Sequence, residues 1–131
     1  MMRVLPLLPL LALAACDAPP PRPDTKGQQL HAAVDKLSDA YANCLGDKVK
    51  NVPLTDDPAG SMVFDLIKTC KPQRRALIDQ IAIFHRFGHP RETEQVARIV
   101  AEASVQELEK DMREAAVITL VKRQNNMDAK S

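Results

Sequence analysis

Apolar residues recur along this chain in two ways. From Val4 to Ala15 they run almost without interruption. From Leu30 onward they return every three or four residues, with charged residues between them. The second pattern marks helices that bury one face. Leu30, Val34, Leu37, Tyr41 and Cys44 form such a face on a first helix, with Asp35, Lys36, Asp39 and Asp47 lying off it. The helix is expected to begin at Asp24 or Thr25, because Thr25 and Gln28 have the spacing of a capping box. It should stop near Val52, since Pro53 disfavours helical geometry at the residue before it.

A turn over Pro53 to Gly60 follows, with Asp57 expected as the cap of a second helix and Pro58 as its first residue. Met62, Val63, Leu66, Ile67 and Cys70 then share one face. Pro72 interrupts this helix by removing a donor and crowding the preceding turn. The apolar spacing resumes at Leu77, Ile81 and Phe84 in phase with Cys70, which favours a kink over a break. In a break, Pro72 would occupy the first position of a separate helix. Gly88 is expected to end the segment in the left-handed conformation.

Pro90 should open the last helix, with Glu92 and Glu94 in its first turn. Val96, Ile99, Val100 and Ala103 form its first expected inner face, and Leu108, Met112, Ala115 and Ile118 its second. Ala115 to Val121 is apolar nearly all round, so burial on more than one side is expected, within the domain or by another subunit or partner. From Asn125 toward Ser131 the chain should fray. The pattern as a whole predicts an all-α fold: a small antiparallel bundle of three helices, or four if Pro72 splits the second.

Composition narrows the function classes. The chain has 131 residues, with 18 basic against 17 acidic, and loss of Arg3 would make them equal. Such a balance gives no basis for nucleic-acid binding, which needs clustered Lys and Arg. The aromatics are one Tyr and three Phe, too few for a base-stacking or sugar-stacking surface. Four glycines provide no visible phosphate-cradling loop, and no cofactor is expected.

The first run has a different meaning. Met1-Met2-Arg3 is a short positive segment, and Val4 to Leu13 is an apolar core far short of the ~20 residues that span a bilayer. Leu13-Ala14-Ala15-Cys16 closes it. This resembles the lipobox of bacterial lipoproteins, with Leu, two small residues and an obligatory Cys. The resemblance implies a signal peptide over 1–15, cleavage before Cys16, and diacylglyceryl and usually N-acyl modification of Cys16. It further implies a cell-envelope protein facing the periplasm or the exterior, with Asp17 favouring the inner membrane. Residues 16–24 would then be the lipidated Cys and a stalk, whose four prolines favour an extended spacer of roughly 25 Å. A helical domain over 25–125 and a tail over 126–131 complete the plan.

Three cysteines are present. If lipid consumes Cys16, Cys44 and Cys70 remain as a pair in an oxidising compartment, where disulfides persist. Both lie on inner faces of helices that form a hairpin, so a Cys44–Cys70 bridge is expected. His85 and His89 have the i, i+4 spacing of a zinc pair, but Gly88 and Pro90 place His89 past the helix end, and no third ligand is evident. Neither a metal site nor a catalytic residue is therefore assigned. His31 reads as a surface residue, and Lys71, Arg74 and Arg75 as a solvated basic cluster with Asp79 as a local partner. The resulting expectation is a lipid-anchored, non-catalytic binding or structural module. An inhibitor or immunity-type lipoprotein that masks an envelope hydrolase is the alternative, with a metal-binding protein built on His85 and His89 after it.

Overall fold

The computed structural model describes residues 25–129. Cys16, the apolar run, the Pro-rich stretch and the last two residues lie outside that range. Four helices follow in order: α1 (Lys26–Asn51), α2 (Ala59–Thr69), α3 (Lys71–Gly88) and α4 (Glu94–Asp128). Among the described residues there is no strand. No helix among them is long and apolar enough to cross a membrane.

The start of α1 follows directly from local chemistry. Thr25 Oγ1 accepts from the Gln28 amide at 3.3 Å, and Gln28 Oε1 accepts from the Thr25 amide at 2.6 Å, so two orphan donors are satisfied reciprocally. Its end is set by Pro53: Val52 already has ψ 135, and its amide closes the last turn on Lys48. The cap of α2 lies one residue later than expected, at Pro58. Asp57 is engaged elsewhere, because its carboxylate accepts from the Thr55 hydroxyl at 2.9 Å.

At Pro72 the chain breaks and does not merely kink. Cys70 leaves helical geometry at φ −94 and ψ 18, and α3 starts at Lys71 with Pro72 in its first turn. There the missing amide costs nothing, because first-turn amides have no partner within the helix. The in-phase apolar spacing survives because α2 and α3 still run as one broken rod. The Cys44–Cys70 disulfide ties the break to α1, with the two Cα atoms 6.0 Å apart.

Three rods therefore form the bundle: α1, then α2 with α3 running back, then α4. Pairings along their length show this register. Phe87 lies over Gly27, Glu109 bonds Tyr41, and Arg123 reaches Val49 and Val52. The core holds Tyr41, Leu45 and Val49 from α1, Met62, Val63 and Ile67 from α2, Leu77, Ile78 and Ala82 from α3, and Ala97, Ala101, Val105, Ala116 and Leu120 from α4. Burying a leucine such as Leu77 or Leu120, both 0% exposed, contributes about 1.5–3 kcal/mol.

Several expected faces shift. On α1 the fully buried residues sit toward the C-terminal end, while Leu30, Val34 and Leu37 are only half-buried. The N-terminal end of α1 packs against the end of α3, where Phe87 lies over Gly27 and His31 meets Phe84, and an open groove between them reaches Val34. Gly88 has no positive φ, and α3 ends through His89 at φ −128 and ψ 66. Pro90 does not open α4. Thr93 does, its Oγ1 accepting from the Val96 amide at 3.3 Å, because Glu92 is held in the preceding turn by His85.

The largest shift is on α4, where Val96, Ile99, Val100 and Ala103 point outward and Ala97, Ala101 and Val105 point in. Small residues at the contact let α3 and α4 approach closely. Ala115 to Val121 is helical, with Ala116 and Leu120 buried, Val117 half-buried, and Ile118 and Val121 exposed. α4 also stays helical past Asn125 to Asp128. Arg123 donates to the Val49 and Val52 carbonyls, and Gln124 donates to those of Thr55 and Asp57 at 3.1 and 3.0 Å. These bonds anchor the end of the helix and satisfy carbonyls at the end of α1 and in the turn that leads to α2.

Candidate functional site

Tyr41 and Glu109 meet in the middle of the bundle. The Tyr41 hydroxyl donates to Glu109 Oε1 at 2.6 Å, and Arg74 Nε donates to the same oxygen at 2.6 Å. Arg113 stands 3.7 Å from Glu109 Oε2. Glu109 is 5% exposed and is the buried charged residue of the core. Burial, and then the bond to Glu109, push the Tyr41 hydroxyl well above the usual tyrosine range. Tyr41 is thus a protonated donor and unsuited to act as a nucleophile. This arrangement joins the three rods at one level, Tyr41 from α1, Arg74 from α3 and Glu109 from α4.

Glu109 was invisible in the sequence because a glutamate between Leu108 and Lys110 reads as a solvated residue. Arg74, expected in a solvated basic cluster, turns inward to it. Asp79 pairs with Arg98 of α4 at 3.0 Å, not with the Lys71–Arg75 cluster. The only signal that could have found Glu109 is its phase: Ala97, Ala101, Val105, Glu109, Ala116 and Leu120 share one helical face.

At the other end of the bundle, all three histidines of the chain line one groove. It has a volume of about 590 Å³ and is walled by Val34, Ile81, Phe84, Phe87 and Val100. His85 Nε2 lies 2.6 Å from Glu92 Oε2, and the His85 and His89 rings stack with centroids 4.5 Å apart. His31 sits edge-on to Phe84 at 5.7 Å and pairs with Asp35 at 3.0 Å. The two histidines of the i, i+4 pair do come together, with Glu92 beside them. Among the described residues, however, no group of three or more His, Cys, Asp or Glu is arranged to hold a metal ion. The bond to Glu92 instead ties α3 to the turn that leads into α4.

The remaining feature is the outer face of α4. Val96 is 42% exposed, Ile99 63%, Ile118 48% and Val121 40%. They stand opposite the buried face of the same helix. Exposed apolar residues are unremarkable singly, but aligned along one helix they offer a contact surface. No protein-family model matches the chain, and neither does any curated protein or solved structure with which it was compared.

Proposed function

We propose that the chain is a lipid-anchored binding or structural module of the bacterial cell envelope. Cys16 would hold it to a membrane facing the periplasm, the Pro-rich residues would space it from the surface, and the helical bundle would present a partner-binding face. The signal-like run and its lipobox support the address. The observation that carries the binding role is the exposed apolar outer face of α4, for which the bundle itself supplies no cover.

Metabolic labelling with a fatty-acid analogue tests the address. Wild-type protein should take the label and Cys16→Ser should not; equal labelling of the two removes the anchor. Crosslinking in the native host followed by mass spectrometry tests the binding role. Crosslinks should map to α4 at Ile99 and Ile118. Crosslinks confined to other surfaces would remove α4 as the binding face.

A further inference from the structure

The outer face of α4 is complementary to itself. Val96, Glu107 and Ile118 repeat every eleven residues, as do Ile99, Lys110 and Val121. Eleven residues take about three turns at 3.67 per turn, so the positions form a nearly straight ridge. All six are exposed. The ridge is apolar at both ends and charged in the middle, with an acid and a base flanking its midpoint.

We infer that this ridge is the interface of a homodimer in which two copies of α4 pack antiparallel, related by a two-fold axis midway between Leu108 and Glu109. This rests on the reading of that face as the binding surface and names its partner as a second copy. The axis sets Val96 against the partner's Val121, Ile99 against the partner's Ile118, and Glu107 against the partner's Lys110. Each pair occurs twice, as a closed isologous interface requires. Ala103 and Glu114 lie on the midline between the two rows, so Ala103 meets the partner's Glu114, and its small side chain leaves room for that carboxylate one turn from Lys110 of the same helix.

Charge decides the direction. In a parallel pair, Glu107 would meet Glu107 and Lys110 would meet Lys110, placing like charges at one level. In the antiparallel pair both contacts join opposite charges. Neither residue has an ion-pair partner within the described chain, so both are free to make them. The apolar ends span roughly 38 Å of helix at 1.5 Å per residue.

The test is sedimentation velocity of the purified full chain in a density-matched detergent, with crosslinking of cysteine variants. Wild type should sediment as a dimer within the micromolar range, and Ile99→Asp as a folded monomer that melts like wild type diluted below that range. Glu107→Lys and Lys110→Glu should each weaken the dimer roughly tenfold, and the double exchange should restore it. Under oxidation the double variant Ile99→Cys with Ile118→Cys should crosslink into dimers, while Ile99→Cys alone should not. A wild type that stays monomeric throughout the range overturns the proposal, even if envelope crosslinks still map to α4 and the binding face stands. Crosslinking of Ile99→Cys to itself, or failure of the charge exchange to restore the dimer, overturns the antiparallel register.

Discussion

The two faces of α4 differ in a way that hydrophobicity does not explain. The inner face carries Ala97, Ala101, Val105, Ala116 and Leu120, none more than 6% exposed. The outer face carries Val96, Ile99, Ile118 and Val121, between 40% and 63% exposed. Side for side, the outer residues are the bulkier. If burial followed apolar area alone, the helix would turn them inward. It does not, because helix separation depends on the side chains at the contact, and alanines allow the shortest one. Rotation would also pull Glu109 away from Tyr41 and Arg74 and would break the Arg123 and Gln124 contacts at the end of α1. Orientation is therefore chosen by volume and by a few directional polar bonds, and the displaced apolar residues become a surface.

The largest effect should come from breaking the inner face at its polar centre. Glu109→Leu removes the acceptor of a fully buried hydroxyl and the partner of Arg74. The expected loss is about 3 kcal/mol, the low end for a broken buried pair, because Arg74 is partly exposed and can turn to water. Urea denaturation measures it. A loss below about 0.5 kcal/mol, the level of an ordinary surface change, would show that the register is held without this network.

Overfilling the inner face comes next. Ala101→Leu should destabilise by about 1–3 kcal/mol, since α3 leaves no room for the added carbons. An unchanged melting temperature would mean that the α3–α4 contact is loose and that alanines do not set the spacing.

Tyr41→Phe sharpens the same centre more gently, at about 1 kcal/mol, because Arg74 still satisfies Glu109. Its pH dependence has a definite sign. Below about pH 10 the phenol is protonated in both folded and unfolded states. Above it the unfolded chain releases the proton while the folded chain, with its raised pKa, retains it, so stability falls as pH rises. The chain has one tyrosine and no tryptophan, so near-ultraviolet tyrosinate absorbance reports this group alone. The absorbance should rise only as the protein unfolds, and Tyr41→Phe should flatten the alkaline decline in stability. Free titration in the ordinary tyrosine range while the fold persists would contradict the buried hydrogen bond.

The smallest effect on stability belongs to the outer face. Ile99→Ser should change the free energy of unfolding by less than about 0.5 kcal/mol when measured on the monomer. A loss as large as that of Ala101→Leu would place Ile99 in the core and erase the distinction between the faces.

Much of the fold was legible because it is local. The capping box at Thr25, the stop before Pro53 and the helical spacing of Met62, Val63 and Ile67 each depend on neighbours a turn away. The Cys44–Cys70 bridge was legible for a related reason, since two stripes joined by a short turn must face each other. The boundary of α4 was less so. Pro90 and Thr93 are both good starts, and the choice went to Thr93 because His85 holds Glu92 in the turn.

The sequence by itself determined that the chain forms helices, where the first of them begins and ends, and that two cysteines staple them. It also determined the order of charge, apolar run and Leu13-Ala14-Ala15-Cys16, whose resemblance to a lipobox is the ground on which the membrane address is proposed. Only the tertiary structure decided that Pro72 breaks the second helix, that Glu109 is buried, and which side of α4 turns inward. Helix formation and capping depend on residues within about four positions of one another, whereas facing depends on side chains brought together from distant parts of the chain. The phase of Glu109 with Ala101, Val105 and Ala116 marks it as inward, but its partners Tyr41 and Arg74 lie 68 and 35 residues away, and no periodicity within α4 names them.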